Sequence, residues 1–391
     1  MRILLNLKMK IFNLIFGKNQ NETIEIQEID RFVEKLGNPQ SLTDRSYYQY
    51  LCQRKKYEKN LIFKILYFCL NIVSFFGICI LLINPFFSIG KPSSKSRKNK
   101  NRNADAICLF NETIRDRIPN SIYRDYTNIS FVPNPSIVLT RTEKKLILQI
   151  WKIHICSCNF VLKNFLKIGM YRQCIESTNG VRAIIVTGED SYTSSILTEY
   201  CRMMHIEHIN VMHGEMLYQL NRMYFAFDKC YVWDEFYKKL AIDKLLALPE
   251  QFFVEVAPCL TFNKNYTIKT TYKYYLQDHN LDQLKHVKKI LDIIGVDYKV
   301  RAHPIFSNKD DVYKVFDRDK IEENDIPIEA SIMETRFIIS WNSTVLFQAY
   351  VNNRIPVIDD VTNRERYQYS VDAQYIMIDK SLRLSDTLIQ K

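Results

Sequence analysis

The sequence predicts an α/β protein of two domains, each a parallel sheet with crossover helices, behind a helical, membrane-associated N-terminal segment. Three observations predict it. From Ala104 onward, short apolar runs alternate with stretches of helical period, the pattern of strands joined by crossover helices. At 391 residues and 47% hydrophobic content, the chain is long enough for two cores of ordinary size. Ile65–Ile89 runs 25 residues without a charge, and a spanning helix needs about 20 apolar residues.

The elements follow in order. Residues 1–60 read as a helical N-terminal region, opening with a basic amphipathic stretch, Met1–Lys18, of a kind that lies on membranes or packs on the chain's own core. Residues 61–90 form the hydrophobic membrane segment. Few soluble helices are apolar all round for this length. Basic residues flank it on both sides, so the positive-inside rule gives no orientation. It either crosses once or breaks at Gly77 or Asn84-Pro85 and re-enters. Residues 91–103 are a polybasic linker: Lys91–Arg102 carries six basic residues and no acidic one, suited to an anionic lipid surface. Residues 103–391 are expected in the cytoplasm.

Within 104–258, strands are predicted at 106–110, 129–132, 181–186, 208–212, 229–233 and 252–256. Helices are predicted across 146–166, at 191–204 with Ser191 or Asp190 as the cap, and at 235–243. After a boundary at 258–266, a second unit occupies 267–391. It has strands at 267–276, 298–301, 336–339, 355–358 and 375–378, with helices at 281–294 and 343–352. Gly295 is expected to end the first of these helices as a left-handed cap.

Composition narrows the function classes. The net charge of +11 admits nucleic acid, anionic membrane or anionic substrate as partners. Much of the excess is local to 91–102, and no nucleic-acid motif accompanies it, so no nucleic-acid partner is expected. The ten cysteines include only Cys156-Ser-Cys158 as a close pair, which is neither a zinc knuckle nor a CxxC motif, and they read as reduced thiols. With nine glycines there is neither GxGxxG nor GxxxxGK[ST], which argues against a typical dinucleotide fingerprint or P-loop. Asp317-Arg-Asp319 lies in a charged run and reads as surface, so neither metal nor cofactor is expected.

Two segments carry the chemistry. Arg301-Ala-His303-Pro304 ends one predicted strand. Proline restricts the residue before it to an extended conformation and so aims the imidazole; Arg301, two residues earlier, shares its face. Ser340-Trp-Asn-Ser343-Thr344 ends another strand and opens a helix, whose free N–H groups and dipole suit a phosphate. Both segments fall at the carboxyl edge of one sheet, where open α/β sheets bind ligands. Gly188-Glu189-Asp190 ends a strand in the first domain, with Asp190 either a base or a helix cap. His213-Gly214-Glu215 ends the next strand, with room beside the glycine for a ligand.

An Arg-x-His-Pro after a strand, followed some forty residues on by Ser-Thr opening a helix, resembles bacterial GT-B enzymes that use cytidine-nucleotide donors: sialyltransferases, polysialyltransferases and CDP-glycerol glycerophosphotransferases. The resemblance covers residues 181–360 loosely and the two motifs well. It implies two Rossmann-like domains facing a cleft, with His303, Ser343 and Thr344 on the donor phosphate and His213-Gly214 also near the donor. Sialyltransferases place an Asp/Glu-Asp/Glu-Gly motif near 188–190; here the order is Gly-Glu-Asp. Glu189, Asp190 and Glu215 therefore all stay open as the base that transfer to a hydroxyl requires. The implied function is a metal-independent, membrane-associated glycosyltransferase of the bacterial inner membrane. It would move a sugar from a nucleotide-sugar, best a CMP-sugar, to a surface polysaccharide such as capsule or to a lipid-linked glycan. Alternatives are transfer of a polyol phosphate from a CDP-polyol, and a non-catalytic protein that keeps the fold.

Overall fold

The computed structural model describes residues 26–55, 58, 60–83, 88–89, 102–133, 135–262, 266–295 and 297–389. The expected N-terminal basic helix, the Asn84-Pro85 break and the 91–101 stretch lie outside the described residues. The chain divides into two compact units: one takes the residues up to Met212 and Gln219–Glu255, the other His213–Tyr218 and Val256 onward.

The first unit contains helices α1 (Ile26–Leu36), α2 (Leu42–Lys55), α3 (Leu61–Ile83), α4 (Asn120–Asp125), α5 (Arg141–Ile153), α6 (Cys158–Glu176), α7 (Ser194–Met203) and α8 (Glu235–Asp243). The strands of its main sheet are β1 (Ala106–Cys108), β2 (Ile129–Phe131), β3 (Ala183–Val186), β4 (Glu207–Val211), β5 (Lys229–Val232) and β6 (Phe252–Val254). They form one parallel sheet in the order β2-β1-β3-β4-β5-β6. β1 and β3 are buried at every position. That is why they read as unbroken apolar runs, since a parallel sheet is covered on both faces. The strand order reverses between β1 and β3.

Several helix starts were encoded locally. Thr140 and Glu143 form a capping box at α5. Asp234 caps α8, accepting from the Phe236 N–H at 2.8 Å. The predicted helix at 191–204 begins later: α7 starts at Ser194 after Thr193, so neither Asp190 nor Ser191 caps it. Ser191 and Thr193 bond each other's hydroxyls at 3.0 Å, and the Ser194 hydroxyl donates to the Ser191 carbonyl at 2.8 Å. Those local bonds keep the segment in a turn.

The apolar segment is one unbroken helix through Gly77. Ser74, Ile78 and Leu81 are its buried positions. A Cβ at Gly77 would come within 3.3 Å of Leu162 Cδ2, so glycine lets α3 approach α6 closely. The Asn159 N–H donates to Asn71 Oδ1 at 3.0 Å, and Lys144 Nζ to the Leu82 carbonyl at 3.3 Å. The opposite face is open: Leu61, Ile65, Phe68, Val73, Phe76 and Ile83 are exposed. By length and composition α3 could cross a membrane.

The second unit contains β7 (Thr270–Tyr275), α9 (Leu281–Ile294), β8 (Tyr298–Arg301), α10 (Lys309–Val315), β9 (Ile321–Glu322), α11 (Ile328–Met333), β10 (Thr335–Ser340), α12 (Thr344–Val351), β11 (Ile355–Ile358), α13 (Arg364–Asp372), α14 (Met377–Lys380), β12 (Leu382–Arg383) and α15 (Leu384–Ile389). The sheet is parallel, in the order β9-β8-β7-β10-β11-β12. This is the doubly wound 3-2-1-4-5-6 arrangement, whose order reverses between β7 and β10. α9 buries Leu284, Val287, Ile290, Leu291 and Ile294 along one stripe, each worth about 1.5–3 kcal/mol of apolar burial. An Asn280–Gln283 capping box starts it, and Gly295 ends it at φ 63°. The strand predicted at 375–378 is instead the helical turn α14, and the last strand is β12. A four-residue apolar run cannot distinguish a buried strand from a buried turn.

Candidate functional site

In the second sheet, the reversal point places the β7–α9 loop beside the β10–α12 loop, with the β8–α10 loop next to the first. Adjacent strand ends require this: Tyr275 pairs with Arg301, and Tyr274 with Ile339. Gln277 ties all three loops together. Its side-chain amide donates to the Asn342 carbonyl at 3.0 Å, and its own carbonyl accepts from the Ser307 hydroxyl at 2.7 Å. Ser307 Oγ in turn accepts the His303 N–H at 2.8 Å. The two motifs singled out in the sequence thus meet through Gln277.

His303 is half-buried and has a defined tautomer. Its Nδ1 accepts the N–H groups of Ile305 and Phe306, each at 3.1 Å, so the ring proton belongs on Nε2. Burial pulls its pKa below the usual histidine value, against the opposing charge of Asp278. The imidazole is therefore a neutral Nε2–H donor. The turn after Pro304 supplies both N–H groups, and Phe306 stacks on the ring at 4.4 Å.

Arg301 is placed differently from the expectation. Its guanidinium donates to Glu322 Oε1 and to the Ile326 carbonyl, both at 2.8 Å, and the residue is 8% exposed. Glu322 also accepts from Lys273, which is 2% exposed, and from Ser331. Burial would raise the Glu322 pKa, but bonds from Lys273, Ser331 and Arg301 outweigh it and lower it. A buried pair of this kind is broken only at high cost. Arg301 holds β8 to β9 and does not present its charge beside His303.

Ser343 caps α12, its hydroxyl accepting the Val345 N–H at 3.4 Å, and Thr344 is the first helical residue. The Ser343 carbonyl accepts the Tyr375 hydroxyl at 2.8 Å. His213-Gly214-Glu215, expected in the first domain, packs with the second unit. The Tyr218 N–H donates to the Ala373 carbonyl at 2.8 Å. Tyr375 has its pKa raised by burial and then by the charge of Glu215. Glu215 therefore lies near the residue that holds Ser343. A Cβ at Gly214 would meet open space, so no protein neighbour demands glycine there.

Glu189 and Asp190 follow β3 in the first unit, at that sheet's own reversal point. They differ sharply: Glu189 is 0% exposed, whereas Asp190 is exposed. The backbone around them is held by α2. Gln49 Nε2 donates to the Glu189 carbonyl at 3.1 Å and Gln53 Nε2 to the Asp190 carbonyl at 2.7 Å. Asn210 Oδ1 accepts the Gly188 N–H at 2.7 Å.

Sequence reasoning missed Gln277, Asp278, His279 and Arg366. Arg366, on α13, donates to Asp278 at 2.5 Å and to Asn342 Oδ1 and Gln277 Oε1, both at 3.3 Å. Its guanidinium lies 4.6 Å from the Trp341 ring centre. His279 stacks on Trp341 at 3.5 Å; burial and then the Arg366 charge push its pKa down to about 3. Beneath them Asp359, 1% exposed, accepts from Trp341 Nε1 at 3.1 Å, from the Val361 and Thr362 N–H groups at 2.9 Å, and from Tyr274.

No family model matches the chain, and no curated protein does. Among solved structures it is similar to three of the wall teichoic acid polymerase TagF. The first, soaked with CDPG, has a TM-score of 0.31 at 11% identity over 52% of this chain and 56% of that one. The second has 0.35 at 9% identity over 74% and 78%, and the third 0.30 at 8% over 59% and 58%. Likeness at this level carries no argument; the two parallel six-stranded sheets and their strand orders carry the fold.

Proposed function

We propose that the chain is a membrane-associated transferase that takes its donor from a cytidine nucleotide, with the donor phosphate at the reversal point of the second sheet. One observation supports this above the rest: Gln277 joins the His303 turn, through Ser307, to the segment that opens α12. An imidazole Nε2–H and the N-terminal amides of a helix would there meet one anion. Ser343 and Thr344 add hydroxyls beside those amides.

The reaction proposed is direct displacement. A carboxylate takes the proton of the acceptor hydroxyl, and the acceptor oxygen bonds the sugar's anomeric carbon. The bond from that carbon to the nucleotide phosphate breaks, and its electron pair leaves on a phosphate oxygen held by His303 and α12. Among the three carboxylates, Glu215 is the preferred base: it packs in the same unit as Ser343, whereas Glu189 is sealed from solvent. In a polyol-phosphate transfer the same groups would serve attack at phosphorus. The acceptor is a surface polysaccharide or lipid-linked glycan, and the exposed face of α3 supports its presentation at a membrane.

Thermal shift with CMP, CDP, UDP, GDP and TDP tests the donor. A ligand at 100 times its Kd stabilises by about 2.7 kcal/mol. CMP or CDP should raise Tm selectively, and His303→Ala should abolish the shift. Stabilisation by UDP alone would overturn the cytidine assignment.

A further inference from the structure

The first unit contains a cavity of about 320 Å³ that the donor site does not use. Tyr50 and Arg54 of α2, Leu66, Tyr67 and Leu70 of α3, and Tyr192 form most of its wall. The volume is at the lower end for pockets that hold small organic ligands. Leu66 and Leu70 line the cavity and are also 44% and 46% exposed, so the cavity is continuous with the open apolar face of α3.

Tyr50 gives the cavity a polar anchor. The residue is 2% exposed, packed against Phe160 at 5.2 Å and Tyr192 at 5.1 Å. Its hydroxyl is buried and has no hydrogen-bond partner among the described residues. A buried hydroxyl left unpaired is destabilising, and an acceptor atom entering the cavity beside Tyr50 would satisfy it. One turn on, the Arg54 guanidinium lies 4.1 Å from the Tyr67 ring centre and 5.8 Å from that of Tyr50. A cation and a hydroxyl donor on an otherwise apolar wall match a hydrocarbon chain that ends in an anionic oxygen group.

We propose that this cavity takes the hydrocarbon chain of a single membrane amphiphile, with Tyr50 and Arg54 on its phosphate. The chain would enter from the bilayer side of α3. The head would lie at the Gly188–Tyr192 loop, because the same helix holds that loop: Ser46 donates to the Tyr192 carbonyl, alongside the Gln49 and Gln53 bonds. The cavity is thus placed to hold the lipid of a lipid-linked acceptor. That role rests on the transferase reading; the binding does not.

Calorimetric titration of the full chain with dodecyl phosphate, kept below its micelle concentration, tests the proposal. One molecule should bind per chain, with butyl phosphate weaker by more than about 100-fold for want of eight buried methylenes. Tyr50→Phe keeps the ring and should weaken dodecyl phosphate about 10-fold, as should Arg54→Gln. Leu70→Trp fills the cavity and should abolish binding. Equal affinity for butyl phosphate, many molecules per chain in both wild type and Leu70→Trp, or an unchanged Tyr50→Phe variant would each overturn it. CMP titration of the same samples separates the two readings. Dodecyl phosphate binding without CMP binding would sink the donor assignment and leave the cavity standing.

Discussion

The two units solve the same topological problem in different ways. Each is a doubly wound parallel sheet whose strand order reverses once, and each carries candidate residues on a loop at that reversal, His303 of the second unit lying one strand away. In the second unit the loops brace one another: Gln277, Arg366, Trp341, His279 and Asp359 form a polar lattice under the donor segment. In the first unit the Gly188–Tyr192 loop is braced by α2, a helix outside the sheet, through its backbone carbonyls. A site built from its own loops is fixed before ligand arrives. One held by an added helix moves with whatever that helix binds.

The largest test of that contrast is Trp341→Ala. The side chain is 2% exposed, stacks on His279 and donates to Thr362 at 2.7 Å. Its loss should cost about 3–5 kcal/mol. Because the lattice is internal to the second unit, urea unfolding should split, with the first unit melting at its original midpoint. A single transition shifted as a whole would show that the units do not differ in this way.

Acid should act on both units, and this sharpens the comparison. His208, in the first unit, is 0% exposed, lies 2.9 Å from the Tyr171 hydroxyl and 2.7 Å from that of Thr198, and is pushed down to about 3 by burial. His279 is its counterpart in the second. Between about 6.5 and about 3 the unfolded chain binds a proton that the folded chain refuses. Stability is therefore fully present above pH 6.5 and falls as pH drops, by about 2 kcal/mol per histidine at pH 5. His279→Gln should remove its own share of that loss, about 2 kcal/mol at pH 5, and leave the response of the first unit. If it leaves the loss whole, His279 is not buried neutral.

Gln277→Ala comes next. It removes the tie between the His303 turn and the β10–α12 loop while leaving the core intact. Affinity for the cytidine nucleotide should drop about 10-fold, or 1.4 kcal/mol, at nearly unchanged Tm. Calorimetry reads this directly, and wild-type affinity would detach Gln277 from the site.

The sequence revealed some of this and not the rest, for physical reasons. The helical period of α9 and Gly295 at its end are local signals, and both were legible; the Asn280–Gln283 capping box is equally local but went unread. His303 and Ser343 were legible because strand ends and helix starts leave short-range marks. Arg366 was not: its partners at 277, 278 and 342 are brought to it only by strand order. Arg301 was misplaced because its partner Glu322 sits on a two-residue strand too short to read. α2 read only as part of a helical N-terminal region because its work is done by Gln49 and Gln53 on another segment's carbonyls, which no periodicity records.

The smallest expected effect tests the first unit's side of the comparison. Gln53→Ala removes one side-chain bond to the Asp190 carbonyl, near the surface, and should cost about 0.5–1.5 kcal/mol or less. Global stability will hardly register it. Hydrogen exchange will, because local opening reports the bracing of a segment independently of global unfolding. Amides of Ser191–Ser194 should exchange several-fold faster in the variant, while those of Asn342–Val345 stay unchanged. Dodecyl phosphate should slow the 191–194 amides in the wild type, since Tyr192 lines the cavity that α2 shares. Faster exchange at both loops would mean that α2 supports the molecule generally, and the distinction between a self-braced site and a helix-braced one would fail.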